Sequence, residues 1–186
     1  MELLETTFNT TSTYYTMQVR TRWEEKYISR FKAQYPDITL PLHFPKRILS
    51  LRKAGKNKNT AMPIFPGYLF LEIPEDERIS DYFQAFRKTD GFFRFLKANN
   101  DIVPLQKRDL EIVLHFVKKV KNIAGISKVC FDENSKIVVL SGPLSGLEGK
   151  IVVVDTRKKR AKIKLDLYDN SFCIDLAFEV IEKVNR

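Results

Sequence analysis

Apolar residues in this chain recur at two different spacings, and the change from one to the other marks its elements. Around Tyr15 to Val19, TMQV alternates polar and apolar, the period of a strand with one buried face. From Arg20 to Tyr35 the spacing becomes helical: Trp23, Tyr27, Ile28 and Phe31 form an apolar stripe, and Pro36 ends the predicted helix. A second amphipathic helix is predicted over residues 78–90 through Ile79, Tyr82, Phe83 and Phe86, stopped by Gly91 and followed by FFRFL as a short strand. A third, Gln106 to Val120, carries Leu110, Val113, Leu114 and Val117 at i, i+3, i+4 and i+7. Between the first two helices, HFPKRILSL leads into RKAGKNKN, a strand running to a mobile basic tip of Lys53, Lys56 and Lys58 around Gly55. Residues 1–13, MELLETTFNTTST, hold no useful period and are expected to be a disordered tail.

After Lys121 the pattern changes. NIAGISK has no strong period, so residues 122–130 are expected to be a linker. From Lys136 the chain is short strands, IVVL, KIVVVD, AKIKLDL and SFCIDL, separated by Gly142-Pro143, Gly146, Gly149, an RKKR run and Asp169-Asn170. Such spacing suggests a small barrel. The predicted class is α+β: an N-terminal α/β sandwich over residues 14–121, with helices flanking an antiparallel sheet, and a β-barrel over residues 131–186.

Composition adds a partner and removes several activities. The formal charge is +9, and residues 1–121 hold 21 Lys/Arg against 14 Asp/Glu. A basic balance suits nucleic acid or another anionic surface. No apolar run reaches the ~18–20 residues that span a bilayer, and the start lacks a signal-peptide layout, so a cytoplasmic protein away from membranes is expected. Cys130 and Cys173 are too few for a disulfide framework. Cys173 reads as a small buried hydrophobe, while Cys130 has no evident role. His43 and His115 lack metal-ligand spacing, and Glu24-Glu25 reads as helix-start charge. With no phosphate loop or nucleophile turn either, no enzyme and no cofactor are expected.

The segment PIFPGYLFLEI, residues 63–73, carries more aromatic surface than one strand usually buries. Pro63 and Pro66 fix φ and Gly67 opens an angle closed to other residues, so 63–67 reads as a rigid bend before a strand. Tyr68 and Phe70 then share one face, and Leu69 and Leu71 the other. One face must pack on helices; the pattern leaves the other as either core or docking surface. FPGYLF after a basic segment, with YYTMQVRTRWEE near the start, resembles the N-terminal domain of the NusG family of transcription elongation factors. KIVVLSGPLSGLEGKIVVVD, residues 136–155, resembles the KOW motif of that family's C-terminal barrel, and the two pieces stand in the family's order over roughly residues 14–184.

The resemblance implies docking on the clamp helices of RNA polymerase's largest subunit, through positions matching Tyr15, Phe65, Tyr68 and Phe70. It also implies a basic edge of Arg20, Arg22, Lys26 and Arg30 toward non-template DNA, with Trp23 stacking on an unpaired base. From the residues alone, a solvated helix face and a core tryptophan remain open. General members of the family carry Phe-Gly-Arg in a barrel loop that meets a ribosomal protein or the termination helicase. Here the positions read Tyr168, Asp169 and Asn170, which keeps only the aromatic. Arg157, Lys158, Lys159, Arg160, Lys162 and Lys164 put six cations in eight residues, suited to RNA phosphates or to a solvated turn. This layout resembles the family's specialised antiterminators (LoaP-type), whose barrel binds a nascent RNA hairpin. The reading is therefore a monomeric, operon-specific antitermination factor. The alternatives are a general elongation and termination factor with a ribosomal-protein partner, or a ribosome-associated KOW protein that binds RNA.

Overall fold

In the computed structural model, residues 11–53, 55–96, 102–168 and 170–181 are described. In chain order the elements are β1 (Ser12–Val19), α1 (Glu24–Gln34), β2 (Leu42–His43), β3 (Lys46–Lys53), β4 (Lys56–Pro63), β5 (Tyr68–Pro74), α2 (Ile79–Lys88) and β6 (Phe92–Phe95). Then follow α3 (Lys107–Leu114), β7 (Ile123–Ala124), β8 (Ser127–Phe131), β9 (Ile137–Ser141), β10 (Ile151–Asp155), β11 (Arg160–Leu167) and β12 (Asn170–Val180). They form two compact units that interleave along the chain: Met1–Phe44 with Pro66–Leu110, and Pro45–Phe65 with Glu111–Arg186.

The first unit is built on an antiparallel sheet of order β2-β5-β1-β6. Register places Tyr15 opposite Leu71 and Met17 opposite Leu69, so the odd-numbered residues of β1 and β5 share one face. That face meets the helices. Met17, Val19, Leu69, Leu71 and Ile73 form one core with Tyr27 and Phe31 of α1, Phe86 of α2 and Phe95 of β6. The rings of Phe31 and Phe86 stack at 4.5 Å, and the Tyr27 hydroxyl donates to the Phe86 carbonyl at 2.8 Å. Burial on this scale, at roughly 1.5–3 kcal/mol per large side chain, is what holds α1 and α2 to the sheet. The opposite face is also closed, since Tyr14, Thr16 and Phe70 are all buried. Helix α1 begins at Glu24, later than the pattern predicts, because residues 20–23 form a turn in which Arg22 takes a φ of 69°.

The second unit joins the β3–β4 hairpin to a five-stranded sheet. Strand β3 pairs antiparallel with β4 throughout, and parallel with β7 at Lys46↔Ile123 and Arg47↔Ala124. The segment expected to link the domains thus carries β7 and β8. The basic tip is shorter than predicted, because Lys56 and Lys58 already lie in β4. The larger sheet has the order β10-β11-β12-β8-β9, with β9 and β10 as its outer strands. Along β11, Ala161, Ile163, Leu165 and Leu167 are buried, while Lys162, Lys164 and Asp166 are exposed. Cys130 is buried in β8, but Cys173 is exposed, contrary to expectation. It faces the same side as Lys164, its cross-strand partner. Residues 12–13 of the expected tail belong to β1, and residues 1–10 lie outside the described part.

The loop between β9 and β10 is held from the end of α3. After Leu114 the helix widens into one π-helical turn, His115–Lys119. The ring nitrogen Nε2 of His115 lies 2.8 Å from the Pro143 carbonyl, and Lys119 Nζ donates to the Ser145 carbonyl at 2.7 Å. A carbonyl only accepts, so Nε2 carries the proton. Gly142, at φ 96°, lies so close to Ser127 that a Cβ would fall 2.7 Å from its Cα. The loop admits only glycine there.

Candidate nucleic-acid and protein interfaces

Three surfaces carry the chemistry the sequence points to. The first is the bend at Gly67. Its amide donates to Glu24 Oε1 at 2.7 Å, and its carbonyl accepts from the Val19 amide at 2.8 Å. Glu24 is buried, so the residue read as ordinary helix-start charge is the acceptor that pins this bend. At φ 83°, a Cβ on Gly67 would also stand 2.9 Å from Thr21 Oγ1. The four expected anchors separate around this bend. Tyr68 and Phe70 share a face, whereas Tyr15 lies on the helix-facing side with Leu71. Tyr68 is half-buried and Phe70 fully buried. Phe65 is also buried, edge-on to Phe116 at 5.9 Å and to Phe172 of β12 at 5.5 Å. The structure therefore does not gather Tyr15 with Tyr68 and Phe70, and it does not expose Phe65 or Phe70.

The second surface surrounds Trp23. The Arg20 guanidinium lies 4.1 Å from the centre of its ring system, Lys26 Nζ 4.0 Å and the Arg30 guanidinium 5.0 Å. Arg30 is also paired with Asp90. The turn at residues 20–23 and the first turns of α1 converge these side chains, and Arg22 is exposed beside them. Trp23 is only half-buried, so the core position does not apply. Cation–π contacts order the long basic side chains and hold positive charge over the indole. Four of the five residues expected from the sequence to face DNA, Arg20, Trp23, Lys26 and Arg30, are thereby brought into one cluster.

The third surface is the turn between β10 and β11. Asp155 Oδ1 accepts from the Lys158 amide at 2.8 Å, and its carboxylate pairs with Lys158 Nζ at 3.4 Å. The Lys158 amide, foremost, holds the Asp155 carboxyl below its ordinary pKa. Arg160 Nη2 donates to the Ser50 carbonyl of the hairpin at 2.7 Å. Arg157, Lys159, Lys162 and Lys164 remain exposed. The hairpin contributes one more guanidinium, Arg47, whose pKa is lowered chiefly by burial, opposed by Asp175 and reinforced by Arg160. Its Nε and Nη1 are closed off from solvent with no hydrogen-bond partner among the described residues. Sequence pattern missed Ser50 and Arg47 as neighbours of this turn, since only the β3–β7 and β3–β12 packing brings them there. Asp169 lies outside the described residues, so the Tyr168 loop is seen in part.

These features define a mixed α+β protein, an α+β unit and a β-rich unit, and among the described residues no helix is long and apolar enough to cross a membrane. Residues 12–114 match the family model described as NusG, transcription termination factor, and the chain belongs to the NusG family. It is 25% identical over 163 residues to the transcription termination/antitermination protein NusG of Thermus thermophilus, covering 86% of this chain and 88% of that one. The protein of the same description from Borreliella burgdorferi is 22% identical over 182 residues, covering 92% and 98%. Among solved structures, "Domain interaction in Thermotoga maritima NusG" aligns with a TM-score of 0.53 at 18% identity, over 89% of this chain and 93% of that chain. That likeness concerns the fold, and it agrees with the α+β class read from the pattern.

Proposed function

We propose that this protein is a transcription elongation and antitermination factor that binds transcribing RNA polymerase, meets single-stranded non-template DNA at Trp23, and meets nascent RNA at the β10–β11 turn. The observation that carries the reading is the Trp23 cluster, because an aromatic ring framed by fixed cations suits a stacked base and its phosphates. Membership of the family supports RNA polymerase as the partner, and in this reading the contact is made on its clamp helices, in the cytoplasm. Tyr68 is the accessible anchor. Tyr15 is half-buried like Tyr68 but on the opposite face of the sheet, whereas Phe65 and Phe70 contribute to docking only after the packing around them opens, which for Phe65 means separation from Phe116 and Phe172. Replacing Arg20, Arg22, Lys26 and Arg30 by Gln tests the reading in a single-round pausing assay. Pause suppression should weaken while affinity for isolated clamp helices stays nearly unchanged; equal activity would return the four to a solvated face.

The RNA assignment rests on Arg157, Lys159, Lys162 and Lys164 as exposed cations, with Lys158 and Arg160 already engaged within the protein. It favours an operon-specific factor. A general NusG factor is the second reading, favoured by the description shared by the relatives. Binding of a ribosomal protein through the Tyr168 loop, without RNA preference, would decide for it. Co-sedimentation with ribosomes but not with polymerase would instead decide for the ribosome-associated alternative.

A further inference from the structure

The β10–β11 turn does not stand alone: it forms one wall of an open cleft of about 670 Å³ whose other wall is the β3–β4 hairpin. The hairpin side consists of Ser50 and Asn59, which are directly opposed in register and so point to the same face. Arg157, Lys159 and Arg160 stand at the turn side, and Ile126 with Ala177 gives the lining an apolar part. Glu179 also borders it. Arg160 ties the walls together through the Ser50 carbonyl, so the cleft is a built feature of this unit.

This mixture is not what a duplex backbone needs. Cations alone would serve a row of phosphates, whereas a carboxylate on the same cleft repels them. A carboxylate accepts from hydroxyl or base N–H groups, an amide side chain both donates and accepts, and an apolar lining takes the face of a base. Together those groups match one unpaired nucleotide: phosphate toward Arg157 and Lys159, base against Ile126 and Ala177, and a sugar hydroxyl or base edge toward Glu179 and Asn59. A ribose 2′-hydroxyl gives Glu179 a donor that deoxyribose lacks. We infer that this cleft is a site for an unpaired ribonucleotide, shared between the turn and the β3–β4 hairpin, and that it distinguishes RNA from DNA. The inference rests on the RNA-binding reading of the turn and adds the hairpin wall, the single-stranded form and the sugar.

The test uses the full chain and fluorescein-labelled ten-nucleotide strands of one mixed sequence, as RNA, as DNA and as duplex RNA, read by fluorescence anisotropy. Single-stranded RNA should bind more tightly than either of the others. Glu179→Met and Asn59→Leu, which remove the carboxylate and the amide, should each weaken RNA binding about two- to tenfold, the worth of one hydrogen bond, and leave DNA binding the same or tighter. Arg157→Ala should weaken both. Both cleft residues are exposed and Met and Leu are close to them in volume, and thermal melts check that folding is unchanged. If Arg157→Ala weakens RNA while the two cleft variants leave the RNA-to-DNA ratio unchanged, the turn is a plain phosphate contact. The inference then fails and the RNA reading stands. If no form of RNA binds the parent chain, both fail together.

Discussion

Gly67 meets two demands that no other residue meets together. Its φ of 83° is one that side chains rarely adopt, and the space a Cβ would take is filled by Thr21 Oγ1 at 2.9 Å. Gly67→Ala should cost about 1–3 kcal/mol in a denaturant melt, and Thr21→Ala should recover only the steric part of that. Glu24→Ala should cost a similar ~1–3 kcal/mol, because it leaves the buried Gly67 amide without its acceptor. Glu24→Gln restores an oxygen and should recover most of it. Arg47 gives the opposite expectation. Its buried nitrogens make no hydrogen bond, so Arg47→Met should leave the melt unchanged or raise it, since an apolar stem of similar volume removes the desolvation cost. A melting drop as large as that of Glu24→Ala would show that Asp175 holds Arg47 more strongly than its burial opposes it. Cys173 can be checked directly. Being exposed, it should react with a thiol reagent in the native protein, whereas Cys130 should react only on unfolding.

At the scale of elements, strands rich in branched and aromatic residues were the most legible, whether one face is covered, as in β11, or both, as in β5. TMQV and YLFLEI both lie in strands of the first sheet, and AKIKLDL became β11 with its lysines outward. Strand β4, KNKNTAMP, was not legible: its residues are largely polar, and it is held by backbone pairing to β3. The helix boundary after Leu114 was equally hidden, since a continuous apolar stripe says nothing of a widened turn. The same limit applied to the site. The cations near Trp23 could be named from their spacing, but their convergence on the indole depends on Arg22 adopting a positive φ. That π turn carries a pH expectation through His115. Burial, the largest cause, lowers its pKa below the ordinary 6.5, with the Pro143 carbonyl opposing and Lys119 adding to the fall. The folded state thus resists the proton more than the unfolded chain does. Its contribution is fully present above the unfolded value and is lost as pH falls below 6.5 toward the folded value. Melts of the parent and of His115→Gln should therefore differ by a constant amount above about pH 7, and that difference should shrink as the solution is acidified. A difference independent of pH would mean that the ring binds its proton equally well in the folded and unfolded states.

On the scale of the whole molecule, sequence separation and spatial unit disagree: residues 45–65 fold with residues 111–186. Phe65 is the clearest case, since its neighbours Phe116 and Phe172 come from the distant segment. Phe172→Ala should loosen Phe65 and raise affinity for polymerase if Phe65 is an anchor, while Phe65→Ala with Phe172→Ala should lose that gain. Coupling between the two rings, measured by a double-mutant cycle on stability, should be about 0.5–1.5 kcal/mol. The parallel pairing of β3 with β7 has a further consequence, which concerns the order of synthesis. Lys46 and Arg47 leave the ribosome 77 residues ahead of Ile123 and Ala124, a wait on the order of 4–15 s at the usual elongation rates. Until then, that side of β3 offers bare amides and carbonyls to any passing strand. Lysine and arginine along an unfinished edge discourage such pairing, so the positive charge of this hairpin also protects the nascent chain. Translation-arrested chains ending near residue 110, with Lys46, Lys56 and Lys58 changed to Val, should sediment as aggregates more than parent chains of the same length. Equal sedimentation would limit the charge to its role in the finished protein.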